Sequence, residues 1–217
     1  MSQHHEGIVA AGTEMPPVKK ARPVRVFAPR FPVFPFPEFL AGDRPFEMEI
    51  GCGKGRFIMA RAERHPEINF LALDIASKWL KIGQERAVKK GLANLKFLPA
   101  EAREILRDHI PAGRVSQFHI YFPDPWPKRK HQRRRVLSEE VLRMLYERLA
   151  PAGRVLISTD FSGYFEAIQE AVRNCGVSWK VAMKKNERFA AADEPMTNYE
   201  TKYFKAGRDL YYMELKR

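Results

Sequence analysis

Five carboxylates stand at the ends of five strand-like runs: Glu49, Asp74, Glu101, Asp124 and Asp160. Any one of them would serve as a helix cap or a solvated loop acid. Five that recur at the same point of successive units indicate one shared pocket, because ligands of open α/β sheets bind beyond the carboxyl ends of the strands. Asp124 is set apart by its neighbours. Pro123 and Pro125 restrict the backbone on each side of it, so its carboxylate is held in one direction. Trp126 follows, as a base-stacking ring or as packing beneath the loop. Then Lys128, Arg129, Lys130, Arg133, Arg134 and Arg135 place six cations within eight residues. Such a cluster repels itself unless a polyanion lies against it, which suits phosphate contact. A rigid acid beside a phosphate grip suggests chemistry on a nucleic acid.

The glycine-rich stretch Gly51-Cys52-Gly53-Lys54-Gly55-Arg56 narrows the choice of cofactor. A dinucleotide fingerprint requires its third glycine where Arg56 stands. Asp74, 23 residues after Gly51, is placed to accept both hydroxyls of a ribose. A nicotinamide cofactor suits that acid, but Glu49, just ahead of the turn, would repel a pyrophosphate. S-adenosylmethionine has no phosphate. It carries an ammonium and a sulfonium, which nearby carboxylates favour. The crowd of acids therefore selects S-adenosylmethionine. A nicotinamide dehydrogenase and a non-catalytic RNA-binding module stand as alternatives, although the module leaves the glycine turn and the acids without a use.

The elements that must position these groups alternate between strand and helix. Residues 46–50, 69–74, 95–98, 115–122 and 155–160 read as five apolar strands. Helices are expected over residues 56–64, from an N-cap at Ser77 to a stop at Gly91, and over residues 101–107. A further helix begins at the Ser138 cap, carries the stripe Val141, Leu142, Leu145 and Leu149, and stops at Pro151-Ala152-Gly153. Phe165, Ile168 and Val172 mark another. Two last strands are expected near residues 178–183 and 210–215. Between them lies a long polar loop holding Thr197-Asn198-Tyr199-Glu200, with no convincing helix, so these two strands are predicted to be an antiparallel edge pair. The pattern predicts an α/β fold: a mostly parallel seven-stranded sheet with helices on both faces.

Composition sets the outer bounds. The chain has 217 residues and a net charge of +12, enough for one α/β domain with an acidic partner. Cys52 and Cys175 form neither a disulfide framework nor a metal-spaced pair, so no metal is expected. No apolar run reaches the roughly 18 residues of a membrane span, and the first residues lack the pattern of a signal peptide. A cytoplasmic protein with no membrane association is the expectation, and monomer and homodimer are equally compatible with the sequence. Residues 1–44 read as a flexible, basic arm, in which Pro29, Phe31, Pro32, Phe34, Pro35, Phe36 and Pro37 forbid a helix. Residues 45–217 form the domain.

Four stretches together carry a family resemblance. They are Glu49-Ile50-Gly51-Cys52-Gly53-Lys54-Gly55, Phe122-Pro123-Asp124-Pro125-Trp126-Pro127-Lys128 with the arginines after it, Thr159-Asp160, and Thr197-Asn198-Tyr199-Glu200. In this order they resemble the bacterial tRNA (guanine-N7)-methyltransferase family over residues 45–217. The resemblance implies a class I S-adenosylmethionine-dependent methyltransferase fold, Rossmann-like in topology. It implies methyl transfer to N7 of a guanosine in the tRNA variable loop, usually nucleotide forty-six, with S-adenosylhomocysteine as product. By the same resemblance Glu49, Gly51, Gly53, Asp74, Glu101 and Asp124 bind the methyl donor, and Asp124 is also the catalytic acid. Lys128, Asp160, Thr197, Asn198, Tyr199 and Glu200 match positions that bind tRNA or its guanine. Two positions depart from the family's habit. Asp74 stands where Glu is common, and Glu101 where Asp is common, each changing the carboxylate's reach by one methylene. Another S-adenosylmethionine enzyme, acting on RNA or protein, is the alternative.

Overall fold

Phe70, Leu71, Ala72 and Leu73 are consecutive and all but inaccessible to solvent. Successive side chains of a strand point to opposite faces, so this strand must be covered on both. The connecting helices supply that cover. The computed structural model describes residues 42–189 and 194–217, all within the unit formed by residues 33–217. The arm expected over residues 1–44 therefore lies almost wholly outside the described residues.

The elements run β1 (Phe46–Ile50), α1 (Arg56–Arg64), β2 (Asn69–Asp74), α2 (Ser77–Lys89), β3 (Leu95–Pro99), α3 (Ala102–Asp108) and β4 (Val115–Tyr121). A 3-10 turn (Arg129–Arg134), α4 (Glu139–Arg148), β5 (Leu149–Thr159), α5 (Ser162–Asn174), β6 (Lys180–Lys185), α6 (Asn198–Lys205) and β7 (Tyr211–Lys216) complete them. The seven strands form one sheet in the order β3-β2-β1-β4-β5-β7-β6. Pairing is parallel from β3 through β5, and β7 is antiparallel to both its neighbours. The strand order reverses between β1 and β4. A topological switch point of this kind opens a crevice beyond the strand ends. Among the described residues no helix is long and apolar enough to cross a membrane.

Each helix is amphipathic for a legible reason. On α1, Phe57, Ile58, Met59 and Ala62 bury against Phe70, Ala72 and Phe97. On α4, the cap is Ser138, whose hydroxyl accepts from Val141 N at 3.3 Å, and the expected stripe of Val141, Leu142 and Leu145 is buried. Glu139 and Glu140 occupy its first turn, where the helix dipole favours them.

The last two strands form the expected antiparallel pair at one edge of the sheet, with β6 outermost and β7 joining it to β5. Three expectations need correction. The stretch after β6 is not all loop, because Thr197 and Glu200 form a reciprocal capping box that starts α6. Ser77 is the first residue of α2 rather than its cap. Ala76 takes the cap position, and its N–H is bound by the side chain of Asp74 at 2.8 Å. Finally, β5 begins at Leu149, directly after α4, so residues 151–153 lie inside a strand, with Ala152 at φ 60°.

Candidate active site and the family it belongs to

The glycine turn after β1 is pinned to β2. Gly51 N and Cys52 N both donate to Leu73 O, at 2.8 and 2.9 Å. Gly53 N donates to Asp74 Oδ2 at 2.8 Å, and Ala76 N to Asp74 Oδ1 at 2.8 Å. Asp74 thus holds the turn with one lone pair on each oxygen and keeps a second on each for a ligand. Gly51 and Gly53 have φ of 81° and 55°, with nothing within 4 Å of where a Cβ would stand, so conformation and an open approach explain them. Gly55 differs, since a Cβ there would lie 2.5 Å from the Phe97 ring.

Glu49 lies at the base of this turn, 4% exposed. Burial, reinforced by the negative charge of Asp74, outweighs a backbone hydrogen bond from Ile58 and pushes its carboxyl up to about 8. Its Oε2 is buried and makes no hydrogen bond among the described residues. A buried, unpaired carboxyl oxygen is costly. A cation placed against it would remove that cost. The open glycine turn, Glu49 and Asp74 therefore fit S-adenosylmethionine, which brings a positive charge and ribose hydroxyls but no phosphate.

The loop after β4 carries Asp124 on a strained backbone. Phe122 and Trp126 have φ of 50° and 40°, a left-handed conformation that bulky residues rarely adopt. Each costs on the order of 1–3 kcal/mol, so surrounding contacts must hold it. Phe122 N donates to Ser158 O at 2.8 Å, and Arg135 Nε to Pro125 O at 2.8 Å. The Arg134 guanidinium lies 4.9 Å over the Trp126 ring, and His131 meets that ring edge-on. Asp124 itself is exposed and has neither hydrogen bond nor ion pair among the described residues. Lys128 caps the 3-10 turn that follows, and none of the six cations from Lys128 to Arg135 forms an ion pair with an acid there.

The Thr197-Asn198-Tyr199-Glu200 stretch starts α6, whose Tyr203 ring lies 5.7 Å from that of Phe122. Glu200 is buried and fully engaged. Its Oε2 accepts from Thr197 N at 3.2 Å, and its Oε1 accepts from Tyr212 Oη at 2.9 Å and Arg188 Nε at 3.0 Å. Asn198 Oδ1 accepts from Arg56 Nη1, at the start of α1, at 2.8 Å. Tyr199 is exposed and stacks on Tyr203. Asp160 pairs with Arg208 at 2.7 Å.

Residues 43–213 match a family model described as a putative methyltransferase. The chain is 32% identical over 182 residues to the tRNA (guanine-N(7)-)-methyltransferase of Lactococcus lactis subsp. cremoris, covering 82% of this chain and 83% of that protein. It is 33% identical over 181 residues to the enzyme of the same description from Geobacillus kaustophilus, covering 83% and 82%. This chain belongs to the tRNA (guanine-N(7)-)-methyltransferase family. The fold agrees: a SAM-dependent methyltransferase from Aquifex aeolicus superposes with a TM-score of 0.55 at 12% identity, over 82% of this chain and 85% of that one.

For a member of this methyltransferase family, the strand-end acids divide into kinds. Glu49, Asp74 and Asp124 keep acceptor capacity for a ligand. Glu101 is the N-cap of α3, and its Oε2 accepts from Arg103 N at 2.9 Å. Its other oxygen stands 3.9 Å from Arg103 Nη1. Thr197 and Glu200 are structural in the first instance, since they start α6 and fasten it to β7.

A buried polar network that sequence pattern did not reveal joins these parts. Glu47, two residues before Glu49, receives Arg61 of α1 and His119 of β4. His119 Nδ1 in turn lies 2.9 Å from Tyr121 Oη. Arg61 also reaches Glu194, just ahead of α6. Tyr121 closes the chain of contacts beside a small cleft that Arg188, Glu200 and Tyr212 also line. Only a polar residue recurring at alternate positions of a buried strand (Glu47 with Glu49, Gln117 with His119) hints at it in the sequence.

Proposed function

We propose that this chain performs its family's reaction as follows, with the base in the tRNA variable loop at nucleotide forty-six as its target and cytoplasmic tRNA as its partner. Glu49 holds the ammonium of S-adenosylmethionine, Asp74 its ribose hydroxyls, and the Gly51–Gly53 backbone lets the donor approach closely. Glu101 keeps its free oxygen for the same ligand. When bound, S-adenosylmethionine supplies an electrophilic methyl group.

The chain's own task is positioning. Guanine N7 carries an in-plane lone pair and no proton, so no residue has to create the nucleophile. Holding the base in line is worth far more than proton transfer here. Asp124 accepts hydrogen bonds from the N1 and N2 edge of the base and offsets the positive charge that methylation places on the ring. Asp160, freed from Arg208 by the arriving substrate, steadies the same base. Lys128 and the arginines after it take phosphates, and Tyr199 on α6 offers a ring to the RNA. Thr197, Asn198 and Glu200 keep α6 in place for that contact.

One observation carries this reading: Asp124, exposed and without a partner among the described residues, follows a strand paired with the one that leads into the glycine turn, and precedes six cations that form no ion pair there. Incubating the protein with labelled S-adenosylmethionine and transcript tRNA, then mapping the modified base by cleavage specific for N7-methylguanine, tests it. A single label in the variable loop is expected. Label on another atom, or on protein in preference to tRNA, overturns it.

A further inference from the structure

Trp79 lies on the first turn of α2, and 41% of it is exposed. The helix follows β2, so this ring shares a rim with Asp74. The Lys54 ammonium, from the glycine turn, sits 4.6 Å from the ring centroid, and that of Lys78 at 5.5 Å. Lys81 is exposed on the same helix. Ile75, between Asp74 and the helix, is 75% exposed. Lys54, Lys78 and Lys81 have no acidic partner among the described residues.

A surface indole covered by lysine stems is ordinary packing. Two ammoniums over one exposed ring, with Lys81 one turn along from Lys78 and no acid paired to any of the three among the described residues, are not. Their mutual repulsion is relieved by an anion, and the ring favours a flat apolar partner. An aromatic platform flanked by cations is the chemistry that single-stranded nucleic acid takes, with a base on the ring and phosphates on the ammoniums. Placement agrees. β2 and β4 flank β1 in the sheet. The strands that lead into the platform and into the Asp124 loop therefore stand on either side of the one that leads into the glycine turn.

We propose that Lys54, Lys78, Trp79 and Lys81 form a second tRNA-holding surface, separate from the Lys128–Arg135 cluster. An unpaired base near the target guanine stacks on Trp79 while the lysines move onto the adjoining phosphates. The proposal rests on tRNA being the substrate. It adds a second place on the enzyme where the RNA is held.

The test measures affinity for transcript tRNA and for S-adenosylmethionine separately, on the full chain. Trp79→Ala is expected to weaken tRNA binding by about 5- to 100-fold. Affinity for S-adenosylmethionine should stay within about twofold, as for an independent site. Trp79→Phe should recover most of the loss. The double variant Lys78→Gln/Lys81→Gln should flatten the slope of log affinity against log salt by about 1.5. Unchanged tRNA affinity in Trp79→Ala overturns the proposal. So does an equal loss of S-adenosylmethionine affinity, which would make the ring a wall of the donor site. If Trp79→Ala fails to fold, the lysine double variant decides alone, since both side chains are exposed. A wild-type protein that neither binds nor methylates tRNA overturns this surface and the substrate together. A wild-type protein that methylates tRNA, beside silent Trp79 and lysine variants, overturns this surface only.

Discussion

Arg61 grips Glu47 with two hydrogen bonds, Nε to Oε2 at 2.5 Å and Nη2 to Oε1 at 2.8 Å, where α1 crosses β1. His119 adds a third contact to Glu47 at 2.8 Å, from a ring with no exposed surface. Burial opposes ionisation of Glu47, but the hydrogen bonds from Arg61 and His119 outweigh it and hold the carboxyl down at about 2. The helix that begins at the glycine turn is thereby fixed to the sheet beneath it.

Removing one member of this cluster leaves the others buried and uncompensated. Glu47→Gln is expected to cost about 3–5 kcal/mol of stability, read as a lower urea midpoint. The pH dependence has a definite sign. Folding lowers the Glu47 pKa from its ordinary 4.5 to about 2, so its contribution is complete above 4.5 and is lost as pH falls towards 2. The size is on the order of 3 kcal/mol. The variant should therefore unfold with a shallower acid dependence across that window, and an unchanged slope would remove Glu47 from the acid transition.

Glu49 behaves in the opposite sense. Its folded pKa of about 8 lies above the ordinary 4.5, so the ligand-free protein loses stability as pH rises between those values. A cation brought against Glu49 should ionise it. Binding of S-adenosylhomocysteine, whose ammonium is still charged at about pH 6.5, is expected to release close to one proton per molecule. Calorimetry in two buffers of different ionisation enthalpy counts that proton directly. Glu49→Gln should bind more weakly and release none.

Among the described residues Asp124 has no structural partner to lose. Asp124→Asn should keep the wild-type melting temperature while kcat/KM for tRNA falls by at least about tenfold, equivalent to 1.4 kcal/mol in the transition state. A variant with full activity would mean that the carboxylate neither orients the base nor balances its charge.

The capping box makes a separate demand on α6. Thr197→Ala should cost about 1 kcal/mol and loosen the start of the helix. Because α6 reaches α1 through Asn198 and Arg56, the expected signature is a higher KM for tRNA with donor affinity preserved. Hydrogen exchange over residues 197–205 should rise in the same variant.

Most of the architecture was legible because buried parallel strands announce themselves as apolar runs, and the intervening stripes mark helices. The acids were legible because strand ends are where polar residues interrupt such runs. α6 was not, because its start is polar and its stability comes from the box between Thr197 and Glu200 and from Arg188 and Tyr212, both distant from it in sequence. The Glu47–Arg61–His119–Tyr121 network escaped for a similar reason: its members lie on three elements and only the fold gathers them. Glu101 was read as a ligand acid by its place at a strand end, and in the fold that place is also a helix cap.

The position of β7 has a consequence for how the chain is made. Arg154 to Thr159 of β5 pair with residues 211–216, and among the described residues β6 pairs only with that same late strand. A chain emerging from the ribosome holds five parallel strands before it holds β7. Until then β5 offers a bare, largely apolar edge through Val155, Leu156 and Ile157, and β6 has nothing to join. That interval is when the nascent protein is most prone to pair with a copy of itself, and the arrival of β7 ends it.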